Sequence, residues 1–84
     1  MKRETDHTYT LVLTVQNNPG VLVRCAQVFN RRGHNIEALQ VTPIENTHAQ
    51  SHMTITAFGD AKTITQITMQ LHKLVDVLDI KEGN

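Results

Sequence analysis

The sequence contains few of the residues on which disulfide bonding and base stacking depend. It has one cysteine, one tyrosine, two phenylalanines and no tryptophan in 84 residues. A lone cysteine excludes an intrachain disulfide and a Cys-x-x-Cys metal pair. Eight acidic and eight basic residues balance, so no global field attracts nucleic acid or an anionic membrane. The composition therefore argues against a disulfide-stabilised protein, a Cys-x-x-Cys zinc site and a nucleic-acid-binding protein.

Long apolar runs are also absent. No stretch approaches the roughly 18 apolar residues that a membrane-spanning helix needs, and the start, MKRETDHT, lacks the apolar segment of a secretory signal. We therefore expect a cytoplasmic protein without a membrane partner. The length suits one small domain, which we place at residues 8–82, after a flexible N-terminal tail at residues 1–7. Cys25, in the run RCAQVF, is expected to be a core thiol.

Hydrophobic periodicity predicts six elements. Alternating apolar residues predict a first strand from Thr8 and a third strand around residues 52–58, and a spacing of i, i+3, i+4, i+7 predicts the helices. Residues 35–41 and 75–80 are predicted to be the second and fourth strands. The side chains expected to face the core are Tyr9, Leu11, Leu13, Val15, Leu22, Cys25, Ala26, Phe29, Met53, Ile55, Ala57, Ile64, Ile67, Leu71 and Leu74.

The order β-α-β-β-α-β predicts the fold class. It is typical of an α+β, ferredoxin-like sandwich, in which a four-stranded antiparallel sheet carries both helices on one face. The other face of the sheet would be solvated or covered by a partner. Val12, Leu39 and Val41 indicate that this open face is not wholly polar, which favours a partner there.

No pattern in the sequence predicts catalysis or metal binding. His48 and His52 are four residues apart, but that spacing gives a shared face only on a helix, and these two fall on a loop and a strand. Asp76 and Asp79 fall on the fourth strand, where a spacing of three sends their side chains to opposite faces, so we interpret them as surface charges. Nucleophile elbows, P-loops and HExxH motifs are missing, and we expect a non-catalytic chain without a metal.

The same element order occurs in RNA-recognition modules. Those modules stack bases on aromatic residues of their central strands. Here the central strands carry Leu, Thr, Met and Ile. RNA binding is therefore disfavoured.

The run NNPGVL, residues 17–22, joins the first strand to the first helix. The first N–H groups of a helix have no intrahelical partner and carry a partial positive charge, so a carboxylate or phosphate can bind there. Gly20 allows a ligand close to the backbone, and Asn17 can both donate and accept hydrogen bonds. On this run alone, a turn that merely ends a strand remains the alternative.

Four runs, LTVQNNPGVLVR, FNRRGHNIEALQV, SHMTI and QLHKLVDVLDI, resemble the ACT domain of the small regulatory subunit of acetolactate synthase (acetohydroxyacid synthase), from about Tyr9 to Ile80. The resemblance implies one ACT domain and a non-catalytic subunit in branched-chain amino acid biosynthesis. Such a subunit activates a separate catalytic large subunit, which carries thiamine diphosphate, magnesium and FAD. It holds no cofactor itself. It also binds valine as the feedback effector, at the interface of an ACT homodimer.

The resemblance also implies which residues bind the effector. Asn17 and Gly20 fall on the asparagine and glycine of the family's turn, and Val21 and Leu22 would offer N–H groups at the helix start. Asn35 matches the asparagine of the family's Gly-aromatic-Asn-Ile-Glu run, and Ile36 would contact the isopropyl group. One methylene is worth only about 1–3 kcal/mol, so leucine and isoleucine need not be sharply rejected.

Two departures from the family pattern leave alternatives open. His34 stands where the family has Tyr or Phe, which is either a packing change at the dimer seam or a pH-responsive group. Many family members carry a second, C-terminal domain, so the route by which inhibition would reach the catalytic subunit is open. The alternative function is a freestanding amino-acid-sensing ACT module with a different partner enzyme.

Overall fold

A computed structural model of the chain describes residues 6–45 and 49–83. The first strand begins at Asp6, two residues earlier than expected, and pairs Asp6 with Asp60 and His7 with Gly59. Asp6 and His7 therefore belong to the sheet and not to the N-terminal tail. The rest of the expected tail lies outside the described residues, as does His48.

The elements follow the predicted β-α-β-β-α-β order. They are β1 (Asp6–Gln16), α1 (Val21–Arg31), β2 (Ile36–Pro43), β3 (Gln50–Asp60), α2 (Ala61–His72) and β4 (Val77–Gly83). All strand pairs are antiparallel, and the order β2-β3-β1-β4 leaves β2 and β4 at the edges. This confirms the ferredoxin-like sandwich. In the described part of the chain, neither helix is long and apolar enough to cross a membrane.

The core lies between the sheet and the two helices. The predicted alternation is confirmed in β1 and β3, whose buried apolar residues face α1 and α2. The largest fully buried apolar side chains are Phe29, Leu13, Met53, Ile55, Ile67, Leu71 and Val15. Cys25 is also fully buried, and burial raises the pKa of its thiol to about 11. It is a core thiol, as expected.

The buried stripe of α1 differs from the predicted one. Val21 and Val28 are buried together with Cys25 and Phe29, whereas Leu22 is 41% exposed and Ala26 is only half-buried. The stripe starts one residue earlier than expected, because the turn before the helix points Val21 and not Leu22 at the core. Leu22 therefore lies at the surface, at the N-terminal end of α1.

The fourth strand also begins later than predicted. Val75 is 92% exposed and lies in the turn between α2 and β4, not in a strand. Backbone bonds from the N–H of Leu74 to the Leu71 carbonyl and from the N–H of Val77 to the Leu74 carbonyl, each 3.1 Å, continue the chain as turns past the end of α2. Asp76 therefore lies in this turn, where it is 9% exposed.

The faces of β2 correct a further prediction. A register shift between Ile36 and Ala38 places Leu39 opposite Ile55 and Val41 opposite Met53. Directly paired residues share a face, so Leu39 and Val41 lie on the helix side of the sheet, and not on the open face as expected. They extend beyond the cover of the helices and are 41% and 44% exposed. Val12, opposite Thr54, does lie on the open face.

Candidate functional site

The loop between β1 and α1 is a tight turn. The N–H of Val21 donates to the Asn18 carbonyl at 3.3 Å, and Gly20 has φ 85° and ψ −6°. Pro at the second position and a glycine with positive φ at the third are typical of a type II turn. A Cβ on Gly20 would be strained, and it would lie 3.1 Å from the Arg24 guanidinium. The position therefore strongly favours glycine.

The helix start has N–H groups available for a ligand. Gly20 is the N-cap residue, no side chain caps the helix, and the first turn holds no acidic residue. The N–H of Val21 is used by the turn, and the N–H of Arg24 donates to the Gly20 carbonyl at 3.0 Å. The N–H groups that an anion would meet are thus those of Leu22 and Val23, whose side chains are 41% and 57% exposed.

Asn17 is fixed at the end of β1. Its N–H donates to the Ala49 carbonyl at 2.7 Å, and its side-chain Oδ1 accepts a 3.2 Å hydrogen bond from the hydroxyl of Ser51. Ser51 is buried. Asn17, Gly20, Val21 and Leu22 lie together in this loop and at the start of α1.

Asn35 and Ile36 lie far from that loop within one chain. Ile36 pairs with Ala57, which also pairs with Tyr9 near the beginning of β1, whereas Asn17 follows the last residue of β1. The two halves of the predicted site are separated by the length of α1, which has 11 residues and measures about 16 Å at 1.5 Å per residue. One protomer does not bring all six predicted residues together.

A charged group that the sequence analysis interpreted as a surface charge lies beside the loop. Asp76 accepts a hydrogen bond from the Asn18 amide at 2.7 Å and a second one from the Arg24 guanidinium, with which it forms an ion pair. The hydrogen bond from Asn18 lowers the pKa of the Asp76 carboxyl most, and the hydrogen bond and positive charge of Arg24 lower it further. Interpreting Asp76 as a strand surface charge was wrong, because Asp76 is buried and lies in the turn before β4. Its contact with Asn18 spans 58 residues, and no local sequence pattern predicts such a contact.

His34 packs inside its own chain. Its Nε2 is buried without a hydrogen-bond partner, and a Cβ built on Gly59 would overlap its ring. Gly59 lies near the end of β3. The absence of a side chain at Gly59 therefore makes room for the His34 ring, so this ring packs against the end of β3.

One further cleft is lined by none of the predicted site residues. A cleft of about 260 Å³ between α1 and α2 is lined by Val28, Arg31, Arg32 and Gln70. Across residues 6–45 and 49–83, no three His, Cys, Asp or Glu side chains form a group that could hold a metal ion. The loop at the start of α1 is thus the site that the geometry best supports.

Comparisons with known proteins agree with this architecture. A family model described as an AHAS small subunit-like ACT domain matches residues 11–79. The acetolactate synthase small subunit of Buchnera aphidicola is 46% identical over 72 residues, which cover 86% of this chain and 45% of that protein. The acetolactate synthase isozyme 3 small subunit of Escherichia coli is 46% identical over 72 residues, covering 86% and 44%. The chain spans about half the length of these curated relatives.

A solved structure gives the same result. The crystal structure of the acetolactate synthase small subunit from Thermotoga maritima has a TM-score of 0.79 and 38% identity, covering 90% of this chain and 47% of that one. The βαββαβ sandwich with a glycine turn at the start of α1 is an ACT domain. Within that class, the chain belongs to the acetolactate synthase small-subunit family.

Proposed function

We propose that this chain is a regulatory, non-catalytic subunit of acetolactate synthase and binds a branched-chain amino acid, valine first, between two copies of itself. The observation that carries the proposal is the division of the predicted site. The loop half, Asn17 to Leu22, lies at one end of the sheet, and the Asn35–Ile36 half lies at the other. A second copy can supply the missing half.

The edge strand β2 provides the means of pairing. Among the described strands it pairs with β3 alone, and its last residue, Pro43, lies opposite Ser51, whose hydroxyl donates to the Asn17 side chain. If the β2 strands of two copies pair antiparallel about a two-fold axis, the beginning of the second β2 meets the end of the first. Asn35 and Ile36 of the second copy would then come near the loop of the first copy.

Exposed apolar side chains support this pairing. Leu39 and Val41 project from the helix side of β2, and Leu22 projects from the start of α1. An edge strand with free backbone groups and partly exposed apolar side chains is a typical surface for strand addition. A second copy would cover all three residues.

The chemistry of the joint site suits an α-amino acid. The N–H groups of Leu22 and Val23 and the positive end of α1 would hold the carboxylate. The amide of Asn35 from the second copy would bind the polar end of the ligand, and Ile36 would contact its apolar side chain. A buried polar ligand needs such partners for each of its polar groups.

Regulation would follow from a difference in affinity between states. Valine changes the activity of a catalytic large subunit only if it binds two states of the complex unequally. Thiamine diphosphate, magnesium and FAD would belong to that large subunit, and this chain would activate it without taking part in the chemistry.

The test uses two variants that are each defective in one half of the site. Gly20→Asp destroys the loop half, Asn35→Ala the other half, and Asn30→Ala, exposed on α1, is the matched control. Each site variant alone should lose valine binding in calorimetry, whereas Asn30→Ala should bind like the wild type. Because a mixed dimer keeps one intact site, an equimolar mixture of the two defective chains should recover about a quarter of the wild-type sites.

The mixture distinguishes a shared site from one within a single chain. No recovery on mixing, with both variants folded and dimeric, would contradict the shared site. Unchanged valine binding by both single variants would contradict the site assignment. Failure of the wild-type chain to co-purify with an acetolactate synthase large subunit would favour the freestanding sensor.

A further inference from the structure

Three hydrogen bonds join the α2–β4 turn to the end of β1, to the loop before α1 and to the first turn of α1. The Asp76 carboxylate accepts from the side chains of Asn18 and Arg24, and the Asp76 carbonyl accepts from the backbone N–H of Gln16 at 2.7 Å. The partners are 58 and 52 residues away from Asp76 in the chain for the two side-chain bonds. One residue of the turn therefore holds the loop from two sides.

These bonds are not those of an ordinary surface ion pair. Exposed pairs contribute little, because water screens them and both side chains lose freedom. The side chain of Asp76 is only 12% exposed, whereas that of Arg24 is 44% exposed. The buried carboxylate thus fixes one end of a guanidinium whose other face remains open to solvent.

The fixed guanidinium lies over the turn glycine. A Cβ on Gly20 would be 3.1 Å from Arg24 Nη1. Arg24 is in the first turn of α1, next to the N–H groups of Leu22 and Val23, to which the proposed function assigns the ligand carboxylate. Arginine presents several N–H donors in a planar fork that suits carboxylates.

We infer that Asp76 is a positioning residue, which holds the Arg24 guanidinium and the Asn18 amide so that the start of α1 is ordered to receive a carboxylate. The identity of that carboxylate, an amino-acid effector, rests on the proposed function. Asp76 itself does not touch the ligand. The α2–β4 turn and the loop before α1 thereby form one ordered unit, so a substitution that disorders one of them also disorders the other.

The experiment compares Asp76→Asn, Arg24→Gln and the double variant in valine titrations of the full chain. If Asp76 acts through Arg24, each single variant should weaken valine binding about tenfold. The double variant should then bind no more weakly than the single variant with the lower valine affinity. The matched controls are Asp79→Asn, on the exposed part of β4, and Arg31→Gln, at the far end of α1. Both should bind like the wild type.

Amide hydrogen exchange gives a second result that does not depend on the ligand. In Asp76→Asn, exchange should accelerate at residues 17–24 and stay unchanged at residues 34–38 and in β3. Unchanged exchange at residues 17–24 would overturn the inference, as would losses in the double variant that simply add. If the wild-type chain binds no valine, the effector proposal fails and exchange alone decides the role of Asp76.

Discussion

The Asn18 amide donates a 2.7 Å hydrogen bond to Asp76, although 58 residues separate them in the chain. This bond joins the two βαβ halves of the domain at the end where α1 begins. It places a buried carboxylate beside the loop that carries the proposed effector site.

Replacing Gly20 by alanine should affect both stability and binding. Its φ of 85° costs an L-residue about 1–2 kcal/mol, and the new Cβ would displace the Arg24 guanidinium. Gly33 is the control, since it also has a positive φ, 69°, but no neighbour within 4 Å of a Cβ. Urea unfolding should show a similar loss for both, while valine affinity should fall only in Gly20→Ala. Equal affinities in the two variants would count against contact at Gly20.

The acid stability of the chain should depend on Asp76. Its folded pKa lies below the ordinary value of 3.8, because of the Asn18 and Arg24 bonds. The stabilisation from these bonds is fully present above the unfolded pKa and is lost as pH falls through the folded pKa. Urea midpoints measured from about pH 6 down to pH 2 should therefore fall less steeply in Asp76→Asn than in the wild type. Parallel slopes would contradict the assigned cause.

His34 and Gly59 should be energetically coupled. Gly59→Ala would push a methyl group into the His34 ring and should cost about 1–3 kcal/mol through overpacking. Removing the ring in His34→Ala should make the same glycine substitution nearly neutral. A double-mutant cycle from denaturant unfolding measures this coupling. A cost of Gly59→Ala that is independent of residue 34 would show that the ring is not the obstacle.

Dimer formation should depend on one face of β2. Val41→Lys would place a charge among apolar side chains on the helix side, whereas Gln40→Lys changes the same strand on its open face. Sedimentation should show weakened self-association for Val41→Lys and little change for Gln40→Lys. The opposite ranking would mean that two copies meet through the open face of the sheet.

The thiol of Cys25 should be unreactive while the chain is folded. Burial raises its pKa to about 11, so almost no thiolate exists at about pH 8, and the side chain is inaccessible. Ellman's reagent should react only as fast as the chain unfolds, and fully after denaturation. Rapid reaction of the native chain would place Cys25 outside the core.

Periodicity predicted the element order, because strands and helices of this domain each bury one regular face. It predicted the core positions of β1 and β3 from alternation alone. It failed for Leu39 and Val41, since a register shift at the start of β2 changes which face they occupy. A register shift is decided by pairing with β3, and the sequence of β2 by itself does not reveal it.

The candidate site was predictable only in part. The NNPG run predicted a turn and an open helix start, because proline and glycine restrict the backbone locally. The role of Asp76 was not predictable, since its partners Asn18 and Arg24 come from the other half of the chain. The separation of Asn35 from Asn17 likewise depends on strand direction, which places them at opposite ends of the sheet.

We propose that two copies of this chain bind an amino-acid effector between them. Calorimetric titration of the wild-type chain with valine, at a concentration where sedimentation shows a dimer, tests it most directly. We expect saturable binding at about one site per chain, binding of leucine and isoleucine that is weaker by no more than about 200-fold, and no binding of glycine. Absence of saturable valine binding by the dimer would contradict an effector site between the two copies.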